Sequence, residues 1–252
     1  MRLSLFAAVL VSGAAAYGSS DADDLDDYVC EHSNYKIHLF SHSPLVIYIS
    51  DFVTPFERRH LQKVTNGTFA RSNVSSHEGD IVSSHRTSHS TTVTPDAVTQ
   101  CIQERARQFQ GLDMPQTYLE PIQLVRYELG QQYHSHMDWF PDGLGQHRSV
   151  AEGGNRVSSF FTYIEASDDI VGGGTNFPRL EAPVGKQWCK FVDCDEPWEA
   201  GVTFRPLEGN AVFWTNLLDG GEGDERVLHA GLPIQRGQKL GMNIWTRQGP
   251  FM

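Results

Sequence analysis

The sequence predicts an α+β fold in which two helices precede a sandwich or barrel of β-strands. Helix-start signals and helical apolar spacing occur in two segments, near residues 55 and 95. Strand-like runs separated by glycine-rich turns follow from about residue 122 onward. Helices followed by a series of strands are typical of α+β proteins. A chain of 252 residues, 39% of them hydrophobic, is long enough to bury one sizeable core.

The first strand runs directly into the first helix. PLVIYISDF, residues 44–52, is rich in β-branched and aromatic residues and predicts a strand. Thr54 is suited to the N-cap position of a helix, Pro55 to the first helical position, and Glu57 completes a capping box. We therefore expect a helix over residues 55–65.

The second helix follows a long polar segment. Residues 66–94 are rich in Ser, Thr and His and predict a loop, which at this length is either functional or disordered. A helix start follows at Thr94-Pro95-Asp96, and apolar residues at helical spacing give that helix one apolar face: Val98, Cys101, Ile102 and Phe109. The later runs that predict strands are IQLVRYELG (122–130), RVSSFFTYIEA (156–166), GNAVFWTNL (209–217) and QKLGMNIWTRQ (238–248).

The N-terminal residues differ in composition from the rest of the chain. Residues 1–16, MRLSLFAAVLVSGAAA, have one basic residue, an apolar run and small residues, which predicts a signal peptide. The apolar run is too short for a membrane-spanning helix, although a retained N-terminal anchor is the alternative. Residues 17–43 include DADDLDD and predict an acidic arm, and residues 44–252 predict one domain. We expect no membrane span after removal of the signal peptide.

A secretory route, either to the endoplasmic reticulum lumen or out of the cell, gives other features meaning. Asn66 and Asn73 begin N-glycosylation sequons. Four cysteines in an oxidising compartment predict disulfides, with three possible pairings. A bond between Cys189 and Cys194 would pin a local loop and leave Cys30 to pair with Cys101. A cysteine metal site is disfavoured because no CxxC pair occurs.

The net charge of −11 limits the class of partner. Nucleic-acid phosphates need a basic face, so nucleic-acid binding is disfavoured. An acidic surface would tolerate a cationic or neutral polypeptide substrate.

Residues 133–140, YHSHMDWF, contain three possible metal ligands on one strand face, His134, His136 and Asp138. All three would span about 13 Å at a rise of roughly 3.3 Å per residue, too far for one ion, whereas His136 and Asp138 can converge. The best third ligand is His229, in RVLHAGLP. Two imidazoles and one carboxylate leave coordination positions open, as non-haem Fe(II) oxygenases require. His134 then lies at a pocket rim or in solvent. A simple His136–Asp138 hydrogen bond is the alternative.

Two further residues fit a co-substrate of such a metal. Oxygen activation at Fe(II) needs two more electrons than one C–H bond supplies, and 2-oxoglutarate often provides them. Its far carboxylate needs a buried cation and a hydroxyl donor. Lys239, on the predicted strand after His229, and Tyr127, on the predicted strand before His136, could supply these groups. A surface lysine and a core tyrosine are the alternatives.

Several ordered motifs resemble one family. YELGQQYHSHMDWF is similar to the iron-binding segment of the prolyl 4-hydroxylase family. RVSSFFTYIEA with GGGTNFP resembles that family's central strand and its Gly-Gly-x-Thr-x-Phe-Pro turn, and LHAGLPIQRGQKLGMNIWTR its C-terminal segment. Arg-Thr-Ser at 86–88 matches its N-terminal region. The resemblance covers about residues 44–248 and implies a double-stranded β-helix (jelly-roll) core that uses Fe(II), 2-oxoglutarate and O₂, with ascorbate as reductant.

The resemblance also implies a role for each matching residue. Departures from the family pattern, among them Ser159 in place of a threonine and Gly174 in place of a glutamate, leave the metal ligands intact and concern the residues around them. By position, the iron ligands are His136, Asp138 and His229, the 2-oxoglutarate contacts are Tyr127 and Lys239, and the substrate contacts are Arg86, Tyr133 and Trp245.

We therefore expect a procollagen-proline 4-dioxygenase-like enzyme that hydroxylates proline in peptides or proteins of the secretory pathway. One alternative is the same chemistry on a small molecule or a modified peptide. The other is a non-catalytic jelly-roll binding module, which is disfavoured because the ligands, the lysine and the tyrosine are all retained.

Overall fold

The computed structural model describes residues 25, 28–31, 34–76, 79–111, 114–141, 149–197 and 200–251. The two helices are α1, Pro55–Val64, and α2, Ala97–Phe109. The strands are β1 Lys36–His42, β2 Leu45–Ser50, β3 Ala70–Arg71, β4 Asn73–Ser76, β5 Gly79–Val82, β6 His89–Thr92, β7 Gln123–Tyr127, β8 Tyr133–His136, β9 Arg156–Ala166, β10 Val171–Gly172, β11 Thr175–Phe177, β12 Val202–Phe204, β13 Ala211–Thr215, β14 His229–Gly231, β15 Ile234–Arg236 and β16 Lys239–Arg247.

Two antiparallel sheets form the framework. The larger has eight strands in the order β1-β2-β13-β9-β16-β7-β6-β3, and the smaller has four in the order β12-β11-β14-β8. Strands that are distant in the chain, such as β9 and β16, are neighbours in the larger sheet. Non-sequential antiparallel neighbours in two packed sheets are the jelly-roll arrangement that the resemblance implies.

The central strand β9 is buried on both faces. Phe160 packs with the cluster that includes Leu61 of α1 and Ile102 of α2, whereas Phe161 packs with the cluster that includes Phe177 of β11. Adjacent residues of a strand point to opposite faces, so the helices cover one face of the larger sheet and the smaller sheet covers the other. The inner face of the smaller sheet therefore faces the larger sheet, and a site can form between the two.

Both predicted helices are confirmed. The Thr54 side chain accepts from the Glu57 amide, and the Glu57 carboxylate accepts from the Thr54 amide at 2.8 Å, which is the predicted capping box. The second helix has Asp96 as its N-cap.

The prediction of one long loop over residues 66–94 is wrong. The segment contains the four strands β3 to β6, and β6 pairs with β7 along the larger sheet. These strands consist mainly of Ser, Thr and other polar residues, so they lack the apolar alternation from which strands are recognised. They are held by backbone pairing, which composition does not reveal: β6 and β3 extend the larger sheet beyond β7, and β4 and β5 pair with each other.

The two disulfides have the pairing considered in the sequence analysis, in which the Cys189–Cys194 bond pins a local loop. Cys189 bonds Cys194, and Cys30 bonds Cys101 of α2. Strand β1 lies before residue 44, so the larger sheet includes part of the predicted N-terminal arm. The predicted signal peptide lies outside the described residues. None of the described helices is long and apolar enough to span a membrane.

Candidate active site

Three side chains that could bind one metal ion converge where β8 and β14 meet. These strands pair antiparallel with His136 opposite His229, and Asp138 follows the end of β8. Nε2 of His136 lies 3.8 Å from Asp138 Oδ1, and Nε2 of His229 lies 3.8 Å from Asp138 Oδ2. The candidate ligand atoms lie within 4.8 Å of one another, and no other group of three His, Cys, Asp or Glu converges in this way among the described residues.

Both imidazoles are held in the tautomer that a metal ion needs. Nδ1 of His136 donates to the His134 carbonyl at 2.8 Å, and Nδ1 of His229 donates to the Val227 carbonyl at 3.0 Å. Since a carbonyl oxygen only accepts, each Nδ1 carries the proton and each Nε2 keeps a free lone pair. Burial, reinforced by the neighbouring His229, lowers the pKa of His136. Neutral imidazoles facing one carboxylate fit a divalent metal ion.

The Asp138 carboxylate is oriented by hydrogen bonds to one oxygen. Oδ2 accepts from Ser159 Oγ at 2.6 Å and from Trp245 Nε1 at 3.0 Å. Ser159 Oγ itself accepts from Asn216 Nδ2 at 2.9 Å, so its single proton is directed to Asp138. Burial alone would raise the pKa of Asp138, but the two facing histidines and Arg156 hold it below its usual range. Oδ1 is thereby left for a metal ion.

Ser159 therefore has a testable role in metal affinity. We expect Ser159→Ala to weaken Fe(II) or Mn(II) binding about tenfold to a hundredfold, the range typical of residues that orient a metal ligand. Ser159→Thr keeps the hydroxyl and is expected to retain the affinity. Anaerobic metal titration of both variants measures the effect, and Ser159→Ala with wild-type affinity would contradict it.

A buried cation lies near the far end of the site. Lys239 is opposite Tyr127 in the β16–β7 pair, and its Nζ lies 4.6 Å from the centre of the Tyr127 ring. Lys239 is 1% exposed and donates to the Gly173 carbonyl, but no carboxylate of the described residues pairs with it. Burial lowers its pKa to about 7. Burial also raises the pKa of the Tyr127 phenol, which therefore keeps its proton and can donate. An unpaired buried ammonium beside a hydroxyl fits the far carboxylate of 2-oxoglutarate.

A cavity of about 1030 Å³ opens beside the candidate metal ligands and Tyr127. It is larger than a small co-substrate needs, since drug-sized ligands occupy roughly 300–1,000 Å³. The three candidate ligands and Tyr127 line it, and four aromatic side chains form part of its wall: Trp139, Phe140, Trp245 and Phe251. Thr175, which the sequence did not single out, adds a hydroxyl that is 2.7 Å from Tyr163 Oη.

The predicted substrate residues all line this cavity. The Arg86 guanidinium lies 4.8 Å above the Tyr133 ring, and that ring stacks on His136 at 3.5 Å. Trp245 contacts Asp138 through its indole N–H. His134 is exposed at the rim, as predicted, where it contacts Gln132 rather than the ligand cluster.

One charged network was missed by sequence reasoning. Arg156 donates to both oxygens of Glu120 at 2.7 Å, and Arg247 donates to the same carboxylate at 3.2 Å. Arg156 also stacks on Trp245 with 3.7 Å between guanidinium carbon and ring centre. Glu120 precedes β7 and Trp245 lies on β16, both far from Arg156 in the chain, so no local pattern indicates these partners.

Comparison with known proteins gives consistent matches. Residues 122–247 match the 2OG-Fe(II) oxygenase superfamily. The chain is 32% identical over 235 residues to prolyl 4-hydroxylase 1 of Arabidopsis thaliana, which covers 90% of this chain and 77% of that protein. It is 30% identical over 218 residues to the human prolyl 4-hydroxylase subunit alpha-3, which covers 84% of this chain and 35% of that protein.

Solved structures confirm the predicted jelly-roll fold. A collagen prolyl hydroxylase of Paramecium Bursaria Chlorella virus-1, solved with 2-oxoglutarate, matches with a TM-score of 0.56 and 22% identity over 87% of this chain and 99% of that one. A Trichoplax adhaerens prolyl hydroxylase, solved with a hypoxia inducible factor peptide, matches with a TM-score of 0.52 and 14% identity over 81% and 83%.

Proposed function

This chain belongs to the prolyl 4-hydroxylase family of the 2OG-Fe(II) oxygenase superfamily, and from that premise we propose that it hydroxylates proline residues of peptides or proteins. It is a dioxygenase that uses Fe(II), 2-oxoglutarate and O₂, with ascorbate as reductant. The observation that carries the proposal is the convergence of His136, Asp138 and His229 beside a cavity too large for 2-oxoglutarate alone.

Each predicted residue has a defined part in this proposal. Nε2 of His136, Nε2 of His229 and Oδ1 of Asp138 hold Fe(II). Lys239 and Tyr127 hold the far carboxylate of 2-oxoglutarate as a charge and a hydrogen-bond donor. When bound, 2-oxoglutarate would supply two electrons to O₂ as it is oxidised to succinate and carbon dioxide, so that one oxygen atom enters succinate and the other is placed on a C–H bond.

The cavity wall suits an extended polypeptide. Tyr133, Trp139 and Trp245 offer aromatic surface against which a proline ring can pack. Proline-rich chains are already extended, so binding one in an open groove costs little ordering entropy. Tyr133 also covers His136 on the side of the cavity, which limits access of water to that ligand.

We place the enzyme in the secretory pathway, with residues 1–16 as signal peptide and 44–252 as the catalytic domain. Two disulfides and the exposed side chains of Asn66 and Asn73 support this placement.

Mass spectrometry of a panel of proline-containing peptides tests the function. After incubation with Fe(II), 2-oxoglutarate and ascorbate, we expect a one-oxygen gain on proline, together with succinate. His136→Ala is the matched control without product. Hydroxylation of a small molecule but of no peptide would establish the alternative substrate class. Absence of succinate with every substrate would instead favour the non-catalytic binding module.

A further inference from the structure

Arginines of this acidic protein are nearly all paired. The β3–β6 side of the cavity is the part of its wall formed by residues 70–92. Among the described residues, each buried or half-buried guanidinium outside this side lies beside a carboxylate, as in Arg105 with Glu57 and Arg156 with Glu120. Among the described residues, the arginines without any carboxylate partner are Arg59, Arg71 and Arg86. Arg59 is exposed on α1, whereas the other two line the active-site cavity.

Arg86 is buried with neutral acceptors only. Its Nη1 donates to the Asn73 carbonyl at 3.0 Å, its Nη2 to Gln123 Oε1 at 3.1 Å, and its Nε to Ser88 Oγ at 3.3 Å. A guanidinium has five N–H groups, so further donors remain for a ligand. Its 8% exposure means that bulk water solvates the charge poorly.

Arg71 lies on β3, which pairs with β6, and Arg86 lies in the segment just before β6. Arg71 is half-buried and donates to the carbonyls of Thr87, the residue after Arg86, and of Ser83, three residues before Arg86. Neither contact neutralises its charge. His85 and His134, which also line this part of the cavity, contribute no negative charge.

The carboxylates of the cavity wall are engaged elsewhere. Glu120 pairs with Arg156 and Arg247, and Asp138 faces the two histidines. Glu152 accepts from the Ser149 hydroxyl at 2.8 Å. Among the side chains that the structure describes, the β3–β6 side of the cavity therefore carries unbalanced positive charge, opposite in sign to the net charge of −11.

We propose that Arg71 and Arg86 form a subsite for a carboxylate side chain, so that the enzyme prefers proline next to aspartate or glutamate. This inference rests on the proposed peptide substrate. A carboxylate can accept from two guanidinium groups at once, and such charge-assisted bonds are about twice as strong as neutral ones. The subsite resembles the one proposed at Lys239, where a buried cation would pair with a carboxylate of the bound ligand. An acidic substrate residue differs from the cationic or neutral polypeptide that the net charge of the chain would tolerate, because the local charge at the cavity is opposite in sign.

Steady-state kinetics on matched peptides tests the subsite. Peptides that carry Glu, Gln or Lys at each position within three residues of one proline are compared by kcat/KM. We expect at least one position where Glu exceeds Gln about tenfold, mostly through KM, and where higher ionic strength reduces the ratio. Arg71→Gln should bring the ratio towards one, and Arg71→Glu should shift the preference towards Lys. Arg59→Gln, at the unpaired arginine outside the cavity, should keep the wild-type ratio.

The ratio within each variant is independent of how much protein is active. If Arg71→Gln folds poorly, Arg71→Lys is the second variant: it keeps the charge and should keep a preference for the Glu peptide. Equal kcat/KM for Glu and Gln peptides at every position would overturn the subsite while leaving proline hydroxylation intact. If no proline peptide is hydroxylated, the proposed function fails instead. Anaerobic affinity of the same peptides for enzyme loaded with Fe(II) and 2-oxoglutarate then still decides whether the acidic preference exists.

Discussion

His136→Ala abolishes Fe(II) binding and hydroxylation, whereas His134→Ala leaves both largely intact. Nε2 of His136 faces Asp138 and His229, and its Nδ1 proton is tied to a backbone carbonyl. Removing it leaves two ligands, so we expect metal affinity to fall by more than the roughly tenfold to hundredfold seen when only a supporting residue is lost. His134 is two residues away on the same strand, yet its ring contacts Gln132 and His85 at the rim.

Anaerobic Fe(II) titration and succinate formation measure the two effects separately. Circular dichroism of both variants establishes that the jelly-roll is retained. Loss of metal from the His134 variant, with metal retained in the His136 variant, would reverse the ligand assignment.

Lys239→Ala weakens 2-oxoglutarate binding about a hundredfold or more and leaves Fe(II) binding in place. The ammonium is buried, no carboxylate among the described residues pairs with it, and the co-substrate carboxylate would be its partner. Removing one member of a buried ion pair costs about 3–5 kcal/mol because the other charge is left uncompensated. Isothermal titration with 2-oxoglutarate, in the presence of Mn(II) and without O₂, measures this loss.

The matched control is Lys36→Ala, an exposed lysine on β1 that should change nothing. Unaltered 2-oxoglutarate affinity in the Lys239→Ala variant would contradict the assignment of Lys239 to the co-substrate site.

The same residue predicts how co-substrate binding depends on pH. Burial lowers the pKa of Lys239 to about 7, so the free enzyme loses this charge as the pH rises above that value. A carboxylate favours the charged form, so 2-oxoglutarate binding above pH 7 must take up a proton. Affinity should therefore fall by up to about tenfold per pH unit above 7. Lys239→Arg keeps its charge throughout and should lose this dependence. Calorimetry in two buffers of different ionisation enthalpy detects the proton uptake.

The fold was predictable where local rules act alone. The capping box at Thr54 and Glu57 and the apolar run of β9 depend on residues close together in the chain, and both are confirmed. The polar strands β3 to β6 were mistaken for a loop because they are held by backbone pairing, of β6 with β7 and β3 and of β4 with β5, and not by an alternation of apolar side chains.

Part of the candidate metal site could also be predicted from residues that are close together in the chain. His136 and Asp138 are two residues apart. His229, Lys239 and Tyr127 were candidates from their residue types and their predicted strands, and the family resemblance then assigned a role to each. Which of these converge was decided by the pairing of β8 with β14 and of β7 with β16.

The sequence by itself determined the types of ligand, the helix ends, the apolar strands and the family to which the chain belongs. Only the tertiary structure decided that Ser159 and Asn216 orient Asp138, and that Arg71 and Arg86 have only neutral acceptors among the described residues. Hydrogen-bond partners and charge balance depend on which strands become neighbours. That choice is made by packing across the whole core, so it is not written in any local stretch of residues.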